Sequence, residues 1–349
     1  MSSKPCIHAA LRTIGMIGPL ALGSAAVAQV SPFNGRAVPN AGSTGHFRIL
    51  IGGHFHGAST NRSGFPAGTL LANLDTINAL GAQLMLSTGD LYLDPVRDHD
   101  RYARAFFDRL RMPLFNAPGN HDVREGMERR AQRIHAGRTE IVLFDTEAHD
   151  SDLAPDDLAT LDSLFLLADA ASCDRVFILS HRPIWSEGDP RYADLFPGNT
   201  HALGGINFAA EVRPRLERIG ARVPVFWISG SMGGSAPASI FMRSEGNGIT
   251  FMQCAIRDEL RDALLIADIG SDGVRWQALS LTDRHLAAPE TYDMDWWREH
   301  QRGSQDLNWR LLPYLMRTTV LHPAFRWGML AGALLLLLPF LWWRSRRGP

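Results

Sequence analysis

Short apolar runs recur along this chain, and many of them stop on small or chemically active residues. Phe47 to Ile51, Gln83 to Leu86 and Met112 to Ala117 read as buried strands, because each is a compact apolar stretch bounded by turn residues. Leu70 to Leu80 and Tyr102 to Leu110 carry apolar residues at helical spacing. Strand and helix therefore alternate in units of about 30 residues, the rhythm of parallel βαβ crossovers. Ile141 to Phe144, Val176 to Leu179 and Val223 to Ile228 continue the strands. Asp156 to Leu167, opened by Ala154-Pro155, and Asn207 to Ile219 continue the helices. After them come β-rich runs: Ser239 to Met242, Ile249 to Ala255, Leu264 to Ile269 and Val274 to Leu281. An α/β fold with antiparallel strands added to a parallel core, and hence a second sheet, is expected.

The two ends break this pattern. Lys4 and Arg12 precede a weakly apolar run, Ile14 to Val27, that closes on Ala26-Val27-Ala28. Residues 1–28 thus read as a signal peptide. Cys6 lies in the charged region without a lipobox. Residues 29–45, rich in Gly, Pro, Ser and Asn, read as a linker. Trp327 to Trp343 is an uncharged run of 17 residues followed by Arg344, Arg346 and Arg347. At about 1.5 Å per residue it just spans a thin hydrocarbon core, so 327–343 reads as one C-terminal transmembrane helix. Its tryptophans suit the interfaces, and the arginines of the tail, 344–349, belong in the cytoplasm. Residues 284–326 are polar and tryptophan-rich and read as a juxtamembrane stalk, with a tail packed on the domain as the other option. The expected location is a single-pass protein of the inner, cytoplasmic membrane, its domain on the periplasmic or extracellular side.

Composition narrows the chemistry. Lys4 is the only lysine, which excludes a Walker A loop, a Schiff-base lysine and a lysine general base in the processed chain. Between the cleavage site and the tail lie 30 of the 35 basic residues and all 36 acidic ones, a net charge of −6. Such a body has no electrostatic footprint for nucleic acid. Cys173 and Cys254 could form a disulfide in an exported protein or remain buried thiols.

Several strands end in residues that coordinate metals. His54 and His56, two apart after the first strand, are expected on one face. Asp90 ends the second strand, Asn120-His121-Asp122 follow the third, and His181 ends a later one. In open α/β sheets ligands gather at the carboxyl ends of the strands, so these residues converge.

The ordered set Gly89-Asp90, Gly119-Asn120-His121-Asp122 and Ser180-His181-Arg182-Pro183 resembles the motifs of the calcineurin-like metallophosphoesterases. The resemblance covers roughly residues 46–283 and implies a four-layer αββα sandwich with two central mixed sheets. It implies two divalent ions, Zn, Fe or Mn, and phosphoester hydrolysis by a metal-activated water. Asp90 would bridge the ions, His54 and His56 would complete one site, and Asn120 and His181 the other. His121 would face the leaving group as cation or proton donor, with Asp122 holding its tautomer. Two departures stand out. The family's first Asp is His54 here, and its closing Gly-His-x-His is Gly230-Ser231-Met232-Gly233. His201 could replace a lost ligand.

A phosphorylated small molecule or envelope component would be the partner. Other readings are a relative that binds a phosphorylated ligand without turnover, and a serine hydrolase using Ser231 in Ser229-Gly230-Ser231-Met232-Gly233-Gly234. An amidohydrolase barrel opened by His54-x-His56 lacks the lysine many of its members need.

Overall fold

The computed structural model describes residues 29–39, 46–124, 129–301, 320, 325–333 and 346. Its strands form two sheets. The first contains β1 (Phe47–Gly52), β2 (Leu84–Ser87), β3 (Leu114–Asn116), β10 (Ala263–Gly270) and β11 (Gly273–Ser280), in the order β11-β10-β1-β2-β3. The second contains β4 (Gln132–Ala136), β5 (Thr139–Leu143), β6 (Arg175–Ser180), β7 (Val225–Ser229), β8 (Ile240–Gly246) and β9 (Ile249–Cys254), in the order β4-β5-β6-β7-β9-β8. Strands β1-β2-β3 and β5-β6-β7-β9 pair in parallel, and the remaining pairs are antiparallel. Both sheets are therefore mixed.

Strand periodicity explains the layering. In the first sheet Ile49, Ile51, Leu84, Leu86 and Leu265 join one core, while their alternates Leu50, Met85, Leu264 and Ile266 join another. The second core is closed by helices α1 (Gly68–Ala72), α2 (Leu74–Ala79) and α3 (Pro95–Ala105) through Leu70, Leu74, Ile77 and Tyr102. Helices α4 (Pro155–Asp169) and α5 (Arg213–Gly220) bring Leu161, Leu164, Leu216 and Ile219 to the core that lines the second sheet. A strand buried on both faces gains about 1.5–3 kcal/mol per large apolar side chain, which is why these strands read as nearly unbroken apolar runs.

Several boundaries differ from expectation for identifiable reasons. The Leu70–Leu80 helix divides at Asn73, whose side-chain amide donates to the Thr69 and Leu281 carbonyls at 2.8 and 2.9 Å. Helix α3 begins seven residues before Tyr102, because Asp94 accepts from the Val96 and Arg97 N–H groups and Pro95 occupies the first turn. Strand β4, unforeseen, is a polar edge with Ile134 and Ala136 buried.

The segments on either side of the domain are not a free linker and stalk where they are described. Ser31 Oγ donates to the Leu114 carbonyl at 2.6 Å, and Asn34 reaches the Phe107 and Met112 carbonyls. Helix α6 (Met294–Glu299), capped by Asp293, buries Trp297 completely, with its indole N–H on the Ile240 carbonyl at 3.0 Å. Cys173 and Cys254 are separate buried thiols. Residues 325–333 are helical and almost wholly exposed, and no described helix is long and apolar enough to cross a membrane. The expected signal peptide, most of the expected stalk beyond residue 301, most of the 327–343 run and nearly all of the tail lie outside the described residues.

Candidate metal centre

The site forms where β1, β2, β3 and β6 end. Beyond β1 the chain does not continue as a strand. His54 takes φ +54°, its N–H donates to the Gly89 carbonyl at 2.9 Å, and its own carbonyl accepts from Gly57 N–H at 2.7 Å. His54 and His56 are therefore brought together by a tight turn and not by strand alternation. Their ring centroids lie 5.3 Å apart, and the His181 ring stacks on the other side of His54 at 5.5 Å. His121 lies 5.3 Å from His56. The four imidazoles form a row: His181, His54, His56, His121.

One carboxylate faces this row. Asp90 Oδ2 is 3.5 Å from Nε2 of His54, 3.8 Å from Nε2 of His56 and 3.5 Å from Nε2 of His181. Its other oxygen accepts the His121 backbone N–H at 3.0 Å. Asp90 sits at φ +58°, a conformation open to Asp and Asn at modest cost. Gly89 before it has φ +100°, and a β-carbon there would stand 2.6 Å from His181 Nδ1, so only glycine fits.

Asp122 fixes this turn. Its carboxylate accepts from the N–H groups of Asp90, Leu91, Tyr92 and Gly119 and from the Asn116 amide, at 2.8–3.3 Å. The expected contact with the His121 ring is not made. His121 Nδ1 instead pairs with the Leu93 carbonyl at 3.1 Å. Asp122 is thus a positioning residue, drawn inward by five donors that its neighbour's ring could not replace.

His181 enters from the second sheet. Its Nδ1 pairs with the Thr88 carbonyl at 3.1 Å, leaving Nε2 for the centre. Ser180 before it is tied to the end of β7 through Ser229 Oγ, and the Trp227 indole donates to it at 2.8 Å. The Gly230 and Ser231 N–H groups both donate to the His181 carbonyl. Where the closing histidines would stand, Gly230 and Ser231 meet His181 through their backbone N–H groups.

Burial sets the charges. His54 is held well below its usual titration range, chiefly by burial, and His56 is lowered for the same reason, so both imidazoles are neutral at neutral pH. Burial pushes Asp90 upward, but the imidazoles around it outweigh this and hold it well below the usual carboxylate range. Asp122 is pushed up to about 6 by burial, with Asp90 adding to the effect.

The donors fall into two triplets sharing Asp90: His54, Asp90 and His181, and His56, Asp90 and His121. The expected grouping placed His54 with His56 and gave Asn120 and His181 to the other site. Asn120 is exposed, whereas His54, His56, Asp90 and His181 are buried. His201 is exposed, and its Nε2 pairs with the Phe196 carbonyl at 2.9 Å, so it does not replace a ligand. Ser231 is buried, its Oγ accepts Thr200 N–H at 2.7 Å, and residues 232–238 form no helix, which removes the nucleophile-elbow reading. Arg257, beside His54 on the loop after β9, gave no signal in the sequence because no motif surrounds it.

Two mixed sheets bring Asp90, His121 and His181 together at their strand ends. The chain resembles the calcineurin-like metallophosphoesterases. No protein-family model and no curated protein matches it. Among solved structures it is similar to a dimetal phosphatase from Danio rerio, at 14% identity over 67% of this chain and 96% of the other, TM-score 0.48. A purple acid phosphatase from yellow lupin seeds is similar at 10% identity over 72% of this chain and 54% of the other, TM-score 0.49. GAP50, the anchor in the inner membrane complex of Plasmodium, is similar at 11% identity over 70% and 87%, TM-score 0.45. These are likenesses of chain path.

Proposed function

We propose that this chain is an exported, membrane-anchored, metal-dependent phosphoesterase. The observation that carries the reading is a set of buried imidazole nitrogens that have no hydrogen-bond partners among the described residues and surround one carboxylate. They are Nδ1 and Nε2 of His54, Nδ1 and Nε2 of His56, and Nε2 of His181. Each buried polar atom left unpaired costs about 1–3 kcal/mol. A cation bound between the rings and Asp90 removes much of that cost, so the residues fit a metal.

His54, Asp90 and His181 would hold one ion, and His56, Asp90 and His121 a second. A divalent ion here supplies Lewis-acid polarisation of a phosphoryl oxygen and lowers the pKa of its water. Imidazole-rich triplets favour Zn or Fe over hard ions such as Mg. Neutral His54 and His56 and ionised Asp90 are already in the ligating protonation state. His121 is half-buried at the mouth of the site, its ring oriented by the Leu93 carbonyl. There it serves the second ion or gives a proton to the leaving oxygen. His121→Asn separates these roles, since it lowers metal content in the first case and kcat alone in the second.

Export and anchoring are supported by the small-residue cleavage pattern at 26–28 and by the apolar run 327–343 with its trailing arginines. That location suggests a phosphorylated small molecule or envelope component as substrate. The test is hydrolysis of aryl phosphate mono- and diesters by the purified protein with added Zn, Fe or Mn. The reading expects turnover that chelation abolishes. Metal uptake without turnover would instead support a phospho-ligand-binding protein, a reading favoured by the exposed Asn120 and by the loss of the closing histidines.

A further inference from the structure

We propose that Arg257 anchors the phosphoryl group, on the flank of the site where the closing histidines are absent; this deepens the phosphoesterase reading and rests on it. The placement follows from backbone contacts. Ile256 N–H donates to the Gly53 carbonyl at 3.0 Å, which sets residue 257 beside Gly53-His54. The Arg257 guanidinium donates through Nη1 to the Met232 carbonyl at 2.9 Å. Met232 follows Ser231, whose N–H supports His181. Arg257 therefore bridges the two loops that deliver His54 and His181.

Among the described residues the Arg257 guanidinium makes no ion pair, and its Nε is buried without a partner. The nearby acids are committed elsewhere. Glu259 pairs with Arg261 at 3.0 Å, and Asp262 accepts the Arg257 backbone N–H at 2.9 Å and the Thr69 hydroxyl at 2.8 Å. A half-buried cation without a counter-ion is costly, and beside a metal centre it also repels the metal. Both costs are offset when an anion lies between ion and guanidinium. The planar fork suits two phosphoryl oxygens, so Arg257 replaces by charge and geometry what the lost imidazoles would have given through metal.

The test is titration of the metal-loaded full-length protein in detergent with inorganic phosphate, comparing wild type, Arg257→Gln and Arg257→Lys. Melting temperature and metal content serve as controls. The proposal expects phosphate affinity to fall at least tenfold in Arg257→Gln and three- to tenfold in Arg257→Lys, which keeps the charge but not the fork. If Arg257→Gln does not fold, the lysine variant carries the test. Unchanged affinity in a folded variant, or no phosphate binding by wild type, overturns the proposal. Binding that depends on Arg257 without any phosphoester hydrolysis would uphold it while refuting the proposed activity.

Discussion

Asp122 concentrates the physical problem at residue scale. A carboxylate buried beside a second carboxylate is unfavourable, yet this one persists because five donors converge on it. In Asp122→Asn the amide turns an NH2 toward some of these donors. Leaving buried N–H groups unpaired should cost about 2–3 kcal/mol, read as a lower midpoint in urea unfolding. Metal content should fall with it, because the Asp90 turn loosens. The histidines give a pH signature in the metal-free protein. His54 and His56 titrate lower when folded than the usual 6.5, so the unfolded chain takes up protons first. Their stabilising contribution is therefore complete above that pH and is lost as pH falls toward the folded values. Asp122, raised to about 6, acts in the opposite sense, favouring the folded state as pH drops from 6 toward 4. The histidine effect is thus read between pH 7.5 and 6, as a falling melting temperature. His54→Asn, which tolerates the positive φ, should flatten that slope.

At the scale of elements, α6 belongs to the domain. Its Trp297 is fully buried against Phe196 and Phe241, with ring centroids 5.4 Å from each. Removing such a ring costs about 3–5 kcal/mol, so a chain ending at 283 should unfold at markedly lower temperature than one ending at 301. Equal melting temperatures would show that α6 contributes nothing. The sequence leaves stalk and packed tail both open here, because a six-residue element with two tryptophans offers too few turns for periodicity to fix its place. The strands were legible for the converse reason: those buried on both faces, such as β1 and β6, are nearly continuous apolar runs, interrupted only by Arg48 in β1. The polar edge strand β4 was not, since only alternate positions are buried. The site was half legible. Residue types at strand ends indicated His54, His56, Asp90, His121 and His181, but which donors share an ion depends on the turn at His54 and on the inward pull of Asp122. Neither leaves a mark in spacing. Arg257 is likewise invisible in sequence, because its place is set by a backbone contact with Gly53, some two hundred positions away.

At the scale of the whole molecule, an acidic domain is followed by an apolar C-terminal run. Fractionation should find the protein in the membrane pellet, released by detergent and not by high salt; release by salt alone would refute the anchor. The central claim concerns the row of four imidazoles facing Asp90. Its most direct test is the metal content of purified wild type and Asp90→Asn by elemental analysis, after both are exposed to Zn, Mn and Fe and freed of unbound ion. Asparagine has the same shape and accepts the same backbone angles, so the fold should persist while the shared ligand loses its charge. The account predicts two ions per wild-type chain and near-complete loss in Asp90→Asn. A wild-type chain that takes up no metal, or an Asp90→Asn variant that keeps the full complement, would contradict it.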